Sequence, residues 1–298
     1  AKDHTVVGGI DWRQDKVLNM GGVKLTNTSY FVQDEWKVAP KWTVIPGVRV
    51  DHHSAFGTHT SPSISVGYDV NAKTNVYAAY KEYFLAPTPY QLFDGTYGNR
   101  NLKPETGHEW SVGVHHKFGK TWNSNLSFFS RSTKDKIGWA TNPATGTVQY
   151  QNFDTEKAYG INADVRKQLT KHLSARLGYT YTHIDATPTR KANRDGYVPK
   201  HAVNAGLDYN DAKWDAHLDI RGVIDRPGPA ANIFPRTTYW ITDISANYRV
   251  RENVTVFGRV NNLFDTYYAE QSNVRWGNAG DWWPGQGRNF RLGVEVTI

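Results

Sequence analysis

The chain has 298 residues, with Gly 26, Tyr 17, Trp 11 and Phe 12 against Met 1 and Cys 0, a β-rich, aromatic-rich profile that leaves no disulfide framework and no thiolate metal site. No run approaches the roughly eighteen consecutive apolar residues of a transmembrane helix, and mean hydropathy is -0.63; a β-barrel escapes this exclusion, because its strands need apolar residues only at alternate positions. A formal charge of +7 favours an anionic surface or ligand, yet Lys and Arg are spread over turns and alternate strand positions, which argues against a nucleic-acid face.

In chain order, short turns are predicted at Ala39-Pro40-Lys41, Asn71-Ala72-Lys73, Gly119-Lys120-Thr121, Thr170-Lys171-His172, Asn210-Asp211-Ala212 and Arg251-Glu252-Asn253. Between them lie longer polar segments bearing Gly and Pro, at roughly 88–104, 138–150, 185–198, 226–237 and 270–287. The intervening residues alternate with period two. Leu173, Ala175, Leu177, Tyr179 and Tyr181 oppose Ser174, Arg176, Thr180 and Thr182; Val203, Ala205, Leu207 and Tyr209 oppose Asn204, Gly206 and Asp208; Phe290, Leu292, Val294, Val296 and Ile298 oppose Arg291, Gly293, Glu295 and Thr297. Helical spacing competes nowhere. Alternation of short and long connections is the asymmetry of an all-β transmembrane antiparallel barrel, with tight periplasmic turns and extended extracellular loops. About fourteen strands are expected, many near the roughly 9–11 residues that cross a bilayer at a tilt. Trp42, Trp110, Trp122, Trp214 and Trp240 are expected near strand ends, at the headgroups.

Two constellations suggest chemistry and carry little of it. His52-His53 and His115-His116 are adjacent, so their side chains leave opposite faces of a strand and cannot share one metal. Asp215, His217 and Asp219 share a face, and such a row could serve a barrel hydrolase as a general base; it lies near a short turn, however, and no Gly-x-Ser-x-Gly elbow completes it. No enzyme is expected.

Phe84-Leu85-Ala86-Pro87, followed by Asn99-Arg100-Asn101-Leu102-Lys103-Pro104-Glu105-Thr106, resembles the paired signature of TonB-dependent outer-membrane receptors, with Leu85 and Arg100 in place of the usual Arg and Pro. Gly160-Ile161-Asn162 and Pro199-Lys200-His201 resemble later strand entries of that family. Val260-Asn261-Asn262-Leu263-Phe264-Asp265-Thr266-Tyr267-Tyr268 is similar to its penultimate strand, and Pro284-Gly285-Gln286-Gly287-Arg288-Asn289-Phe290 to the entry of its last. On this resemblance Asn262 and Asp265 belong to a strand signature and not to a loop. Family members usually end in an aromatic residue, whereas this chain ends at Ile298.

The resemblance implies a location in the outer membrane of a Gram-negative-type bacterium and part of a 22-stranded barrel closed around a plug. The plug and the first strands are not in residues 1–298, so a plug-bearing portion on another chain is expected as partner, together with the TonB energy-coupling complex and lipopolysaccharide. The implied function is import of a scarce nutrient, with no resident cofactor. A ferric siderophore is the expected ligand; haem or cobalamin is the alternative, and a passive porin is the alternative of another class. Ligand contacts are expected from loop aromatics and arginines, whose planar groups suit anionic aromatic chelates: Tyr90, Phe93 and Tyr97 between the two signatures; Trp139 after a strand; Arg226, Phe234 and Arg236 around a Pro/Gly loop; and Arg275, Trp276, Trp282 and Trp283 in the last loop. Haem receptors of this kind usually carry a histidine between the signatures. Residues 88–98 contain none, leaving His59 and His183 as substitutes.

Overall fold

A computed structural model describes residues 3–17, 22–141, 146–186, 198–226, 238–273 and 281–297. It is built almost entirely of antiparallel strands: β1 His4–Val17, β2 Val23–Ala39, β3 Trp42–His53, β4 Gly57–Asn71, β5 Thr74–Leu85, β6 Glu105–Phe118, β7 Trp122–Thr141 and β8 Val148–Gln168. The remainder are β9 Leu173–Ala186, β10 His201–Asn210, β11 Trp214–Ile224, β12 Tyr239–Arg251, β13 Val254–Asn261, β14 Ala269–Asn273, β15 Asp281–Pro284 and β16 Asn289–Val296. Fourteen strands join in chain order into one sheet, β13 pairing directly with β16, while β14 and β15 form a separate hairpin within the last long connection. The sheet edges are β1 and β16. No described helix is long and apolar enough to cross a membrane, which leaves crossing by strands open.

The fourteen expected strands and all six short turns are present. Three expectations are corrected. The strands of the fourteen-stranded sheet run from 8 residues in β13 to 21 in β8, so several exceed the length needed to cross a bilayer. The connection expected at 138–150 shrinks, because β7 continues to Thr141 and β8 begins at Val148. One short helix, α1 Pro89–Phe93, interrupts the first long loop; Thr88 caps it, and the Thr88 and Gln91 side chains form a reciprocal capping box.

The chain divides into two compact units, one of Ala1–Val114, Phe128–Tyr159 and Ile184–Asn193, the other of His115–Ser127, Gly160–His183 and Arg194–Ile298. Each is inverted relative to a water-soluble sheet. In the first, Val6, Ile10, Trp12 and Tyr30 are exposed, Ile10 by 68%, while Ser29 and Asp51 are buried. In the second, Phe290, Leu292, Val294 and Val296 line one exposed face, Leu292 by 82%, while Ser174, Thr242 and Asn262 are buried. Apolar faces of this extent are costly in water and suit hydrocarbon. Tryptophans mark the boundaries. Trp42 opens β3 beside Tyr68 at 4.6 Å, Trp214 opens β11 beside Tyr248 at 4.6 Å, and Trp122 opens β7 with the Lys167 Nζ 4.2 Å from its ring centre. Trp240 is the second residue of β12, whereas Trp110 is the sixth of β6 and falls short of the expected end position.

The opposite face is polar and internally paired. In the first unit Arg49 donates to Asp11 at 2.8 Å and to Asp51 at 3.1 Å, and Asp51 also accepts from Ser29 and Asn27 at 2.6 and 2.8 Å. In the second, Arg176 bridges Asp208 and Asp219, while His217 lies 2.8 Å from Asp208 and 2.6 Å from Asp215. The register places Arg176 opposite Gly206 and Gly206 opposite Asp219. A Cβ at Gly206 would stand 2.5 Å from the guanidinium carbon, so only glycine lets Arg176 lie across β10 to reach Asp219. The Asp215-His217-Asp219 row is thus committed to a wall network.

Candidate ligand-binding site

In the first unit the connection from β5 to β6 lies at the strand ends opposite the short turns and is fully described. Its signature residues anchor it. Leu92 from α1 and Leu102 join Leu25 and Ile137 in a buried cluster against Val23, Phe56, Phe93 and Tyr150. Asn99 donates to the Tyr150 carbonyl at 2.9 Å and accepts from the Asn101 backbone at 2.9 Å; Tyr150 donates its own N–H to the Tyr97 carbonyl at 2.9 Å. Glu105 is 5% exposed, accepts from the Ile137 backbone at 2.8 Å and pairs with Lys136 at 2.8 Å. Phe84 stacks on His59 at 4.0 Å. Ala86, Pro87 and Pro104 fix the entry and exit, since each proline holds its φ and orders the residue before it.

This anchoring presents an aromatic and cationic rim. Tyr90 is 44% exposed, Phe93 and Tyr97 are half-buried, and the Arg100 guanidinium lies 5.3 Å from the Phe93 ring centre. Desolvation, with help from nearby Asp94 and Tyr97, holds the Tyr90 phenol above its ordinary pKa, so it stays a neutral donor. In the sequence Arg100 stands out only as a departure from the motif. Its position beside an aromatic loop was the available signal.

The second unit holds the last loop differently. Asn262, with φ 50, is buried; it takes the Thr266 N–H at 2.8 Å and donates to the Thr266 and Gln286 carbonyls at 2.9 and 3.1 Å. Asp265, with φ 51, accepts the Arg288 N–H at 2.8 Å. Since β13 ends at Asn261, Asn262, Leu263, Phe264 and Asp265 form a knot past the strand end, correcting their assignment to a strand. Leu263 donates its N–H to the Thr242 carbonyl at 2.8 Å, and Phe264 is exposed. Arg226 is only 3% exposed; it donates to the Ala269 carbonyl at 2.5 Å and lies over Tyr239, which packs on Tyr268 at 5.0 Å. A Cβ at Gly285 would fall 2.0 Å from the Tyr268 ring. Arg226 therefore fastens the base of the β14–β15 hairpin.

Trp139 lies within β7, not after a strand, because that strand runs to Thr141. Trp282 and Trp283 lie on β15, paired with Ser272 and Gln271. The side chains of these three tryptophans, and Phe234, Arg236, Arg275 and Trp276 entirely, fall outside the described residues. Of the haem-ligand substitutes, His59 has its Nε2 3.0 Å from the Phe56 carbonyl. Among the described residues no group of three or more His, Asp or Glu could hold a metal ion.

An apolar-out, polar-in antiparallel sheet with aromatic boundaries, short turns at one end and anchored long loops at the other defines a transmembrane β-barrel wall. The model of the TonB dependent receptor-like, beta-barrel family matches residues 3–263, and the chain belongs to that family. It is accordingly an outer-membrane receptor chain, and the family is not one of enzymes. It is 28% identical to the iron-regulated outer membrane virulence protein of Vibrio cholerae serotype O1, over 97% of this chain and 47% of that protein. It is 27% identical to the vitamin B12 transporter BtuB of the same species, over 89% and 43%. The fold superposes on the siderophore receptor PirA from Pseudomonas aeruginosa with a TM-score of 0.72 at 22% identity, over 98% of this chain and 51% of that one. The chain thus spans about half the length of the relatives it matches.

Proposed function

We propose that this chain forms part of a receptor that binds a ferric siderophore at its long-loop end and imports it with energy from the TonB complex. A plug-bearing companion portion on another chain completes the barrel in this reading. The observation that carries the ligand assignment is the rim of Tyr90, Phe93, Tyr97 and Arg100, which couples phenol hydroxyls and aromatic faces to an exposed guanidinium. Iron chelates that are anionic and aromatic meet such a rim by stacking, charge and hydrogen bonding. The relatives named for iron regulation and for siderophores support it. Trp139, Phe234, Arg236, Arg275, Trp276, Trp282 and Trp283 are further candidate ligand contacts in this proposal, whereas Arg226 acts by holding the hairpin. Cobalamin is the second reading, favoured by the likeness to a vitamin B12 transporter. Haem is disfavoured by the absence of histidine from 88–98 and by the engagement of His59.

The test is tryptophan-fluorescence titration of the receptor, purified from its own outer membrane in mild detergent, with ferric enterobactin, cyanocobalamin and haemin in turn. Saturable quenching by the ferric chelate, weakened about tenfold or more in a Tyr90→Ala/Arg100→Ala variant, is expected. Saturation by cyanocobalamin alone transfers the assignment to the second reading. Unchanged ferric affinity in the variant removes these residues from the site.

A further inference from the structure

In the first unit the ladder between β4 and β5 stops short of both strands. It runs from Asn71 opposite Thr74 to Ser63 opposite Lys81, whereas β4 begins at Gly57 and β5 continues to Leu85. The residue at the stop is Pro62. Proline has no N–H to give a ladder and is confined in sheets to edges, strand starts and bulges, yet β4 is an interior strand between β3 and β5. On its other side β4 stays paired with β3 to its end, with Val48 opposite Pro62 and His53 opposite Gly57. Pro62 thus begins a free edge inside the sheet. A slot of about 240 Å³ lies there, between His59, Thr60 and Ser61 on one side and Glu82, Tyr83 and Phe84 on the other. Its height fits the membrane. The paired stretch of β4, residues 63–71, is near the roughly 9–11 residues that cross a bilayer. The slot therefore begins about where the wall leaves hydrocarbon, and water there satisfies backbone groups that lipid could not.

Beyond the stop, β5 belongs to its other neighbour. The Tyr83 hydroxyl crosses β6 over Gly107, where a side chain would not fit, and lies 2.5 Å from the Thr133 Oγ1 of β7, which is only 3% exposed. The connection that follows is tied to the same side. Tyr150 of β8 donates to the Tyr97 carbonyl, and the Asn152 side chain exchanges two hydrogen bonds with the Lys103 backbone, at 2.8 and 2.9 Å. Across the slot the described contacts are of a softer kind. Phe84 stacks on His59 at 4.0 Å, His59 being steadied by its Nε2 3.0 Å from the Phe56 carbonyl, and Leu92 and Leu102 pack with Leu25. Apolar packing is non-directional, so it tolerates sliding that a hydrogen-bonded ladder would forbid. We propose that residues 82–104 form a leaf, fastened to β6, β7 and β8, that swings along the seam opened by Pro62, with the Phe84–His59 stack as its latch. The leaf carries Tyr90, Phe93, Tyr97 and Arg100, so the seam sets how fast a ligand reaches and leaves the rim. That consequence rests on the proposed function, whereas the swing itself does not.

The test is hydrogen–deuterium exchange, read by mass spectrometry, on the receptor purified from its own outer membrane in mild detergent. Peptides covering residues 82–85 should exchange about tenfold faster than those covering 77–81. Pro62→Val, which restores an N–H on a strong strand former, should close the seam and slow exchange at 82–85 about tenfold. His59→Ala should release the latch and raise it about threefold. Heat-modifiable electrophoretic mobility reports whether each variant has folded, and Pro62→Ala repeats the comparison if Pro62→Val has not. Equal exchange in the natural receptor and the folded proline variant overturns the proposal, as does a natural receptor in which 82–85 is as protected as 77–81. Stopped-flow tryptophan fluorescence with ferric enterobactin reads the consequence for binding. Pro62→Val should slow association and dissociation alike, about fivefold, and keep the affinity within about threefold. Unchanged rates beside slowed exchange overturn the seam's part in binding. Failure of the chelate to bind at all bears on the proposed function alone, and the exchange comparison still decides the seam.

Discussion

Glu105 survives as a nearly buried carboxylate because both oxygens are used, one by the Ile137 N–H and one by Lys136. Removing the side chain leaves a buried donor and an ammonium without acceptors, whereas an amide keeps one of the two contacts. Glu105→Ala should therefore cost roughly 2–4 kcal/mol and Glu105→Gln roughly 1–2 kcal/mol. Urea unfolding in detergent measures the first difference, and protease cleavage within residues 86–104 reports whether the loop has come loose. Equal costs for the two variants would contradict the two-contact account. The motif around Glu105 was visible in the sequence as a string of residues, but its task was not. Leu102 and Glu105 act on β2 and β7, and such distant partners leave no local periodicity. Arg226 shows the same limit: an arginine beside a Pro/Gly loop reads as a ligand contact, while the structure buries it over the Tyr239 ring.

At the scale of elements, the short turns carry their own chemistry. Between β10 and β11, Asp211 accepts the Lys213 and Trp214 N–H groups at 2.7 Å each and the Tyr209 hydroxyl at 2.7 Å. The Trp214 N–H is the largest influence, and together these bonds bring the Asp211 carboxyl from 3.8 down to about 2. A depressed carboxylate pKa contributes stability that is complete above the unfolded value and disappears as pH falls through the folded one. The turn should thus hold its form down to about pH 4 and loosen between there and about pH 2. Trp214, stacked beside Tyr248, reports this by fluorescence. Asp211→Asn keeps an acceptor without the titration, so its Trp214 signal should stay flat across that window. Matching acid profiles for the two proteins would refute the assignment. These turns were legible because Asp, Asn, Gly and Pro determine them locally. The β14–β15 hairpin was not, since Ala269–Asn273 and Asp281–Pro284 are short and show no apolar alternation. Likewise the reach of β7 and β8 is set by pairing beyond the bilayer, where polar residues continue a strand as well as apolar ones.

For the molecule as a whole, the edges at β1 and β16 present unpaired backbone groups alongside exposed apolar side chains such as Ile10 and Leu292. Each unpaired group in lipid costs several kcal/mol, and the proposed companion portion offsets that cost by bringing further strands to these edges. Native mass spectrometry of the receptor extracted in mild detergent, with peptide identification of every copurifying chain, should find a stoichiometric plug-bearing companion. A single longer polypeptide containing both portions would remove the companion from the reading and keep the fold. The barrel architecture was readable because period two extends from one end of the chain to the other; ligand identity was not, because it depends on how loops meet in space. The same alternation separates the extended chain from the folded wall in their affinity for lipid. With mean hydropathy at -0.63, apolar residues along the extended chain are dispersed among polar ones. Only strand pairing gathers Phe290, Leu292, Val294 and Val296 onto one surface. The extended chain is a water-tolerant thread, and it acquires its affinity for lipid in the act of folding.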